Sequence, residues 1–126
     1  MIDQQTKKTT NRSSRVYVIN DGGHDFSDAE RFGEVLMITS GSINIFSPER
    51  DRLKMVDVIK NFDPKKDFIC LAGGAFTGFL AGQIFEYLHN VEHVRLLIFN
   101  SKSREYFVRD IKFVEKIAER KRRERD

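Results

Sequence analysis

The chain has 126 residues, of which 40% are hydrophobic and 11 are Phe, which is enough for one apolar core and too few for two ordinary domains. Residues 68–88 are the nearest thing to a membrane span but are broken by Gly73, Gly74, Gly78 and Gly82, and the polar start lacks the apolar stretch of a secretory signal, so a soluble intracellular protein is expected. The net charge of +3 is uneven: residues 1–15 hold four basic and one acidic residue, 16–111 hold 11 and 14, and 112–126 hold seven and four, so any attraction to nucleic acid would work through the ends.

Residues 1–14, with Thr6-Lys7-Lys8-Thr9-Thr10-Asn11-Arg12-Ser13-Ser14, show no apolar periodicity and predict a flexible basic arm. A single α/β domain is expected over 15–113 and a charged helix or tail over 114–126. Val16-Tyr17-Val18-Ile19 is a β-rich run that stops at Asn20-Asp21-Gly22-Gly23, residue types suited to turns and positive φ. Ser27-Asp28-Ala29-Glu30 has the form of a capping box and predicts a helix of one or two turns ended by Gly33. Val35-Leu36-Met37-Ile38-Thr39 reads as a strand covered on both faces. Residues 42–46 fit a strand or an ordered loop equally.

Ser47-Pro48 supplies a capping hydroxyl followed by proline at the first helical position. Leu53, Val56, Ile59 and Phe62 then recur at helical spacing as a core stripe, and Asp63-Pro64 ends the helix. Residues 68–72 form a third strand, and Gly73-Gly74 leads into a helix over 75–88 that is apolar almost all round, hence predicted to be buried. Gly78 and Gly82, four apart, predict close approach of that helix backbone to the sheet, a reading preferred to pairing with another helix. Residues 94–99 are a fourth strand, and the polar turn 100–105 returns it through Tyr106-Phe107-Val108 as an antiparallel edge strand. Phe113, Val114 and Ile117 continue an apolar stripe that 119–126 lacks.

This order implies right-handed crossovers and a three-layer α/β sandwich, Rossmann-like or flavodoxin-like, with helices on both faces of a mostly parallel sheet of four or five strands and an antiparallel C-terminal edge hairpin. Ligands of such sheets collect at the carboxyl ends of the strands. The candidate ligand-binding residues are therefore Asn20, Asp21, Gly22, Gly23, His24, Ser40, Gly41, Gly73, Gly74 and Thr77, with Asn100 on the same rim. Gly73-Gly74 would offer amides to a phosphate or carboxylate, yet it lacks the third glycine of a dinucleotide fingerprint and the Lys-Ser/Thr of a phosphate loop. A tight strand-to-helix turn is the stronger reading.

His24 and Asp25 are the His-acid pair of a strand-exit loop and the catalytic candidates, as general base or phosphate ligand; ordinary turn bonding is the competing and preferred reading. His89 and His93 lack carboxylate or thiol support and predict no metal. Cys70, within Phe68-Ile69-Cys70-Leu71-Ala72, reads as a small core residue. No nucleophile elbow, zinc motif or acidic triad is present, so no standard enzyme class is indicated and no cofactor is implied. Lys116, Arg120, Lys121, Arg122, Arg123 and Arg125 would meet nucleic-acid phosphates or form a solvated helix end, the interspersed glutamates favouring the latter.

The run Gly23-His24-Asp25-Phe26-Ser27-Asp28-Ala29-Glu30-Arg31-Phe32-Gly33-Glu34, the helix entry Leu71-Ala72-Gly73-Gly74 and the hairpin over 97–108 resemble small uncharacterised phage- and prophage-encoded Rossmann-like α/β proteins. The resemblance covers residues 17–111 and leaves the basic ends outside. It implies a bacteriophage protein inside the host cell or associated with the virion, and transfers no activity or functional residues. The leading expectation is a non-enzymatic accessory or structural protein that acts through a protein partner or self-association, with nucleic acid as a further partner of the arms and no membrane role. The alternative is a nucleotide- or small-anion-binding protein or enzyme, using Asp21, His24, Asp25, Ser40, Gly73, Gly74 and Thr77.

Overall fold

The computed structural model describes residues 12–22, 25–89, 93–112 and 122. Five strands, β1 (Arg15–Asn20), β2 (Glu34–Thr39), β3 (Phe68–Cys70), β4 (His93–Asn100) and β5 (Glu105–Lys112), form one sheet in the order β2-β1-β3-β4-β5. The first four are parallel, and β5 returns antiparallel on β4 with Asn100 opposite Glu105 and His93 opposite Lys112. The expected mixed α/β sheet with an antiparallel C-terminal edge is thus present. β1 lies between β2 and β3, and Val16 to Asn20 are all buried, which is why this stretch reads as an unbroken apolar run. β2 is an edge strand instead, so full coverage reaches only Ile38 and Thr39 while Met37 is exposed.

Side chains alternate between two cores. Tyr17, Ile19, Ile38, Ile69 and Val94 face α1 (Glu49–Ile59) and α2 (Ala75–His89), which lie together on one side of the sheet. Val16, Val18, Phe68, Cys70 and Leu97 face the opposite side, where Phe26 and Ala29 of the β1–β2 connection and Tyr106 of β5 complete a smaller core. Both faces are covered as expected, but among the described residues the second layer is only a 3-10 helix, Ser27–Phe32. The capping box does not form there. Ser27 gives its amide to the Asp25 carboxylate at 2.9 Å, and the turn is anchored by buried Phe26 and Ala29. Gly33 ends it at φ +152°, where a Cβ would lie 2.3 Å from the Ser14 carbonyl oxygen, so only glycine lets the chain turn back into β2.

Residues 42–46, which fit a strand or a loop equally, prove to be loop, and Asn44 closes a turn there by accepting the Phe46 amide. The helices correct four further expectations. Pro48 is the N-cap of α1 and not its first residue, and no side chain caps it, because Pro48 already has helical geometry and its carbonyl accepts the Arg52 amide. The core-facing row is Met55, Ile59 and, just past the helix, Phe62; Leu53 and Val56 point outward. α2 is buried on one face alone, through Thr77, Leu80, Ala81, Ile84 and Phe85. Phe76, Phe79 and Tyr87 are exposed, and a Cβ at Gly78 or Gly82 would meet nothing within 4 Å. Ala81 takes the close-packed position predicted for the glycines, which lie on the open side. His89 is half-buried: its Nε2 donates to the Ile59 carbonyl at 2.7 Å and its ring packs on Phe62, tying the ends of α1 and α2 together.

At the amino edge of the sheet Asp67 is completely buried and collects four nitrogens. The Arg12 guanidinium grips both carboxylate oxygens, one at 2.8 Å, and the amides of Arg15 and Asp63 add bonds of 2.9 and 2.7 Å. Arg12, placed by sequence in the arm, also reaches the Asn61 carbonyl, and its own carbonyl accepts from Lys66. The Asp67 hydrogen bonds hold Arg12's guanidinium above its ordinary pKa. Removing one partner of a buried ion pair strands the other charge and costs about 3–5 kcal/mol. Asp67→Ala is therefore expected to lose about that much in urea unfolding, and Arg12→Ala less, since Asp67 keeps its two amide donors. A loss under about 1 kcal/mol for Asp67→Ala would show that the carboxylate does not hold this edge.

Candidate functional site

Parallel β1 to β4 bring their carboxyl ends to one rim, so Asn20, Asp21, Gly22, Ser40, Gly41, Gly73, Gly74 and Asn100 share an edge as the sequence predicts. Gly23 and His24 lie outside the described residues, as do Lys116, Arg120, Lys121, Arg123 and Arg125. Arg122 is exposed.

Asn20 organises the rim. Its amide nitrogen donates to Thr39 Oγ1 at 3.1 Å and to the Gly41 carbonyl at 3.0 Å, while its side-chain oxygen accepts the Gly22 amide at 2.9 Å. Its backbone N–H donates to the Ala72 carbonyl at 3.1 Å. Thr39 donates its hydroxyl to the Ile19 carbonyl at 2.6 Å, and Asp21 accepts the Gly41 amide at 3.3 Å. Three strand exits are stitched together in this way, and the polar groups of Asn20 and Thr39 are used inside the fold. Thr77 is buried in the first turns of α2, while Ser40 and Gly74 remain exposed. Gly73 sits at φ +105° with the position of a Cβ only 2.7 Å from Asn20 Cβ, so β3 can reach α2 beside Asn20 only through a glycine.

On the smaller-core side a cavity of about 300 Å³ opens at this rim between the ends of β3 and β4. Asp25, Cys70, Ala72, Gly73, Phe99 and Tyr106 are among its walls. Asp25 is held below the ordinary carboxylate range by the amide and hydroxyl of Ser27. Burial pushes the Cys70 thiol up to about 11, and the Tyr106 hydroxyl, which donates toward its sulfur, only partly opposes this. Tyr106 rises to about 12, first through burial and then through the adjacent thiol. Neither group is ionised near neutrality, so the cavity offers a neutral thiol and phenol, with an ionised aspartate at Asp25. Asp28 accepts the Tyr106 amide at 2.7 Å and Arg31 donates to the Tyr106 carbonyl, which fixes the phenol's strand against the 3-10 helix.

Sequence reading missed Tyr106 and the Arg12–Asp67 pair. The signal for Asp67 is an acidic residue set directly before the apolar strand Phe68–Cys70; nothing local marks Tyr106, whose role depends on the β4–β5 register. Among the described residues no group of His, Cys, Asp and Glu is arranged to hold a metal ion, and no helix is long and apolar enough to cross a membrane.

Sheet order, rim and cavity define a small α/β protein with a five-stranded mixed sheet and a knitted carboxyl edge. The chain belongs to the Phage Pam3 gp32-like protein family, whose model matches residues 8–113. The match reaches into the basic N-terminal segment, further than the resemblance over 17–111, and leaves 114–126 outside. No curated protein and no solved structure matches the chain.

Two expected outcomes follow from the rim. Gly73→Ala combines a strained φ with a clash and should cost about 3 kcal/mol, whereas Gly82→Ala, a helical position with open space, should gain up to about 1 kcal/mol. Equal effects of the two changes in thermal unfolding would contradict this placement. Alkaline pH provides the other. The unfolded chain releases the Cys70 and Tyr106 protons near 9 and 10 while the folded chain holds them to about 11 and 12, so folding stability falls as pH rises through this window. Cys70→Ala should flatten that decline in urea melts between about pH 8 and 11, and an unchanged slope would exclude a buried thiol.

Proposed function

We propose that this phage-family protein is a non-enzymatic accessory protein that acts by protein contact, with the outer face of α1 and α2 as its contact surface. The observation that carries this reading is the exposure of large apolar side chains there: Leu53 at 70%, Phe79 at 67% and Tyr87 at 87%. A furrow of about 500 Å³ runs between the helices, lined by Leu53, Val56, Ile84, Tyr87 and Leu88, with Glu49 and Arg52 at one end. Isolated exposed apolar residues are ordinary, but a contiguous patch with a polar rim marks an interaction surface. A second copy of the chain is the favoured occupant. Phe79 and Tyr87 both project from the solvent side of α2, and an exposed apolar helix of this kind can bury itself against its own copy about a two-fold axis. The setting is the host cytoplasm or the virion, and the order β2-β1-β3-β4-β5 supports reading the domain as a flavodoxin-like sandwich reduced on one face.

Sedimentation equilibrium of the full chain is expected to show a reversible dimer that Phe79→Asp with Tyr87→Asp converts to monomer without lowering the unfolding temperature. A monomer at all concentrations, or a dimer indifferent to both substitutions, rejects this face.

The rim cavity favours a second reading, a small-ligand site at the strand carboxyl ends of a size near the lower limit for such pockets. Asp21 and Asp25 on this rim favour a neutral or cationic ligand over a phosphate. A neutral or cationic metabolite saturating a real site at 100 times its Kd would raise stability by about 2.7 kcal/mol. Absence of any thermal shift across a nucleotide and metabolite panel, with His24→Ala unchanged, removes this reading.

A further inference from the structure

We infer that the rim cavity takes a small organic ammonium ion with a single ring or a short chain, the Asp25 carboxylate meeting its charge and the Phe99 ring covering it. The inference rests on reading this cavity as a ligand site, and it names what the site accepts. The walls come from three stretches of described chain: Asp25 in the β1–β2 connection, Cys70 to Gly73 at the end of β3, and Leu97, Phe99 and Tyr106 in the β4–β5 hairpin. Among these wall residues the Asp25 carboxylate is the one charged group, and none is basic. Cations elsewhere on this side of the fold do not change that sign. Arg31 is engaged by Asp28 at 3.3 Å and by the Tyr106 carbonyl, and Lys102 and Arg104 belong to the exposed β4–β5 turn, outside the walls.

The hydrogen-bonding character of the walls matches a donor. Ser27 takes two of the roughly four acceptor positions of the Asp25 carboxylate, through its amide at 2.9 Å and its hydroxyl, which leaves room for an ammonium proton. The Tyr106 hydroxyl spends its own proton on the Cys70 sulfur, so its oxygen too offers lone pairs. One carboxylate among apolar walls supplies too few oxygens for a metal ion, and among the described residues no metal-holding group exists. The charge is therefore that of an organic cation, and the rest of the cavity fits its apolar body. Leu71 is 55% exposed and Phe99 47%, large apolar side chains on the walls at the ends of β3 and β4. The Phe99 ring is braced by Tyr106, with centroids 5.1 Å apart, and an ammonium within about 6 Å of its face gains a cation–π attraction. A volume of about 300 Å³, at the lower limit for ligand pockets, restricts the body to one ring or a short chain.

Three probes of nearly one shape separate the charge classes: phenethylamine, phenethyl alcohol and hydrocinnamate, titrated into the full nitrogen-15-labelled chain at neutral pH and followed by amide chemical shifts. Phenethylamine is expected to bind, with shifts centred on Ala72, Gly73 and Tyr106, the alcohol about 5-fold more weakly, and hydrocinnamate not at all. Asp25→Asn, which keeps an oxygen for the Ser27 amide, should bring the amine down to the affinity of the alcohol and leave the alcohol unchanged. Phe99→Leu, at a half-exposed position, should weaken the amine about 3-fold more than the alcohol. Both variants should keep the wild-type unfolding temperature. Equal affinity for amine and alcohol, tighter binding of hydrocinnamate, or an amine preference that survives Asp25→Asn overturns the ammonium assignment while the cavity stands as a ligand site. Binding of none of the three at millimolar concentration, or shifts confined to the α1–α2 furrow, overturns the inference and, together with a blank metabolite panel, the cavity reading as well.

Discussion

β1 is pinned at both ends by one polar side chain from or beside it, and the rest of the fold is arranged around that strand. At its start the buried Asp67 carboxylate accepts the Arg15 amide and binds Arg12. At its finish Asn20 spends both donors and its acceptor on Thr39, Gly41 and Gly22. The strand between is uniformly apolar, so side-chain burial alone would tolerate a slip of two residues along its neighbours, which preserves the facing of every side chain. Hydrogen bonds at fixed positions do not tolerate it. The carboxylate sets β1 against β3, the amide sets it against β2, and the register Val16 to Phe68 and Val16 to Val35 follows.

The two faces of the sheet are covered unequally, and this has consequences for where a partner can bind. Two full helices fill one side so completely that α2 has apolar residues left over, which then face solvent. Among the described residues the other side has six residues of 3-10 helix, which cover the sheet through Phe26, Ala29 and the Asp28 and Arg31 contacts to β5. Where that thin cover ends, beyond Cys70 and Tyr106, the cavity begins. Surplus apolar surface on the thick side and a small hollow on the thin side are two results of one asymmetry.

Strand positions, parallel order and the C-terminal hairpin were legible because each rests on a local pattern: apolar runs at 16–19, 35–39 and 68–72, the last of which is strand only over Phe68–Cys70, and a polar turn before Tyr106. The common rim was legible too, since it follows from parallelism. Helix facing was not. Leu53 and Met55 are both plausible core residues, and which one turns inward depends on how α1 sits against Tyr17 and Phe62, a tertiary fact. The glycines of α2 misled for the same reason: their spacing marks a bare helix stripe without saying whether sheet or solvent lies over it. The capping signal at Ser27 failed because the Asp25 carboxylate takes the Ser27 amide, and that at Ser47 because Pro48, one residue further on, occupies the N-cap position. Arg12 and Asp67, 55 residues apart, have no signature that a local window could contain.

The chemistry of the rim bears on the choice between ligand binding and protein contact. An anion site needs amides that point outward and no carboxylate nearby, yet here the Gly22 and Gly41 amides are taken by Asn20 and Asp21, and Asp25 stays ionised at the cavity. Gly73 is committed to its close approach to Asn20, leaving, among the described residues, Gly74 and the first amides of α2 as the unspent part of the predicted phosphate cradle. Such a rim is built first to hold strands together. Among the described residues, an apolar patch that is not buried lies elsewhere, on α1 and α2. A partner that covered it would gain free energy without undoing any contact that keeps β1 in place.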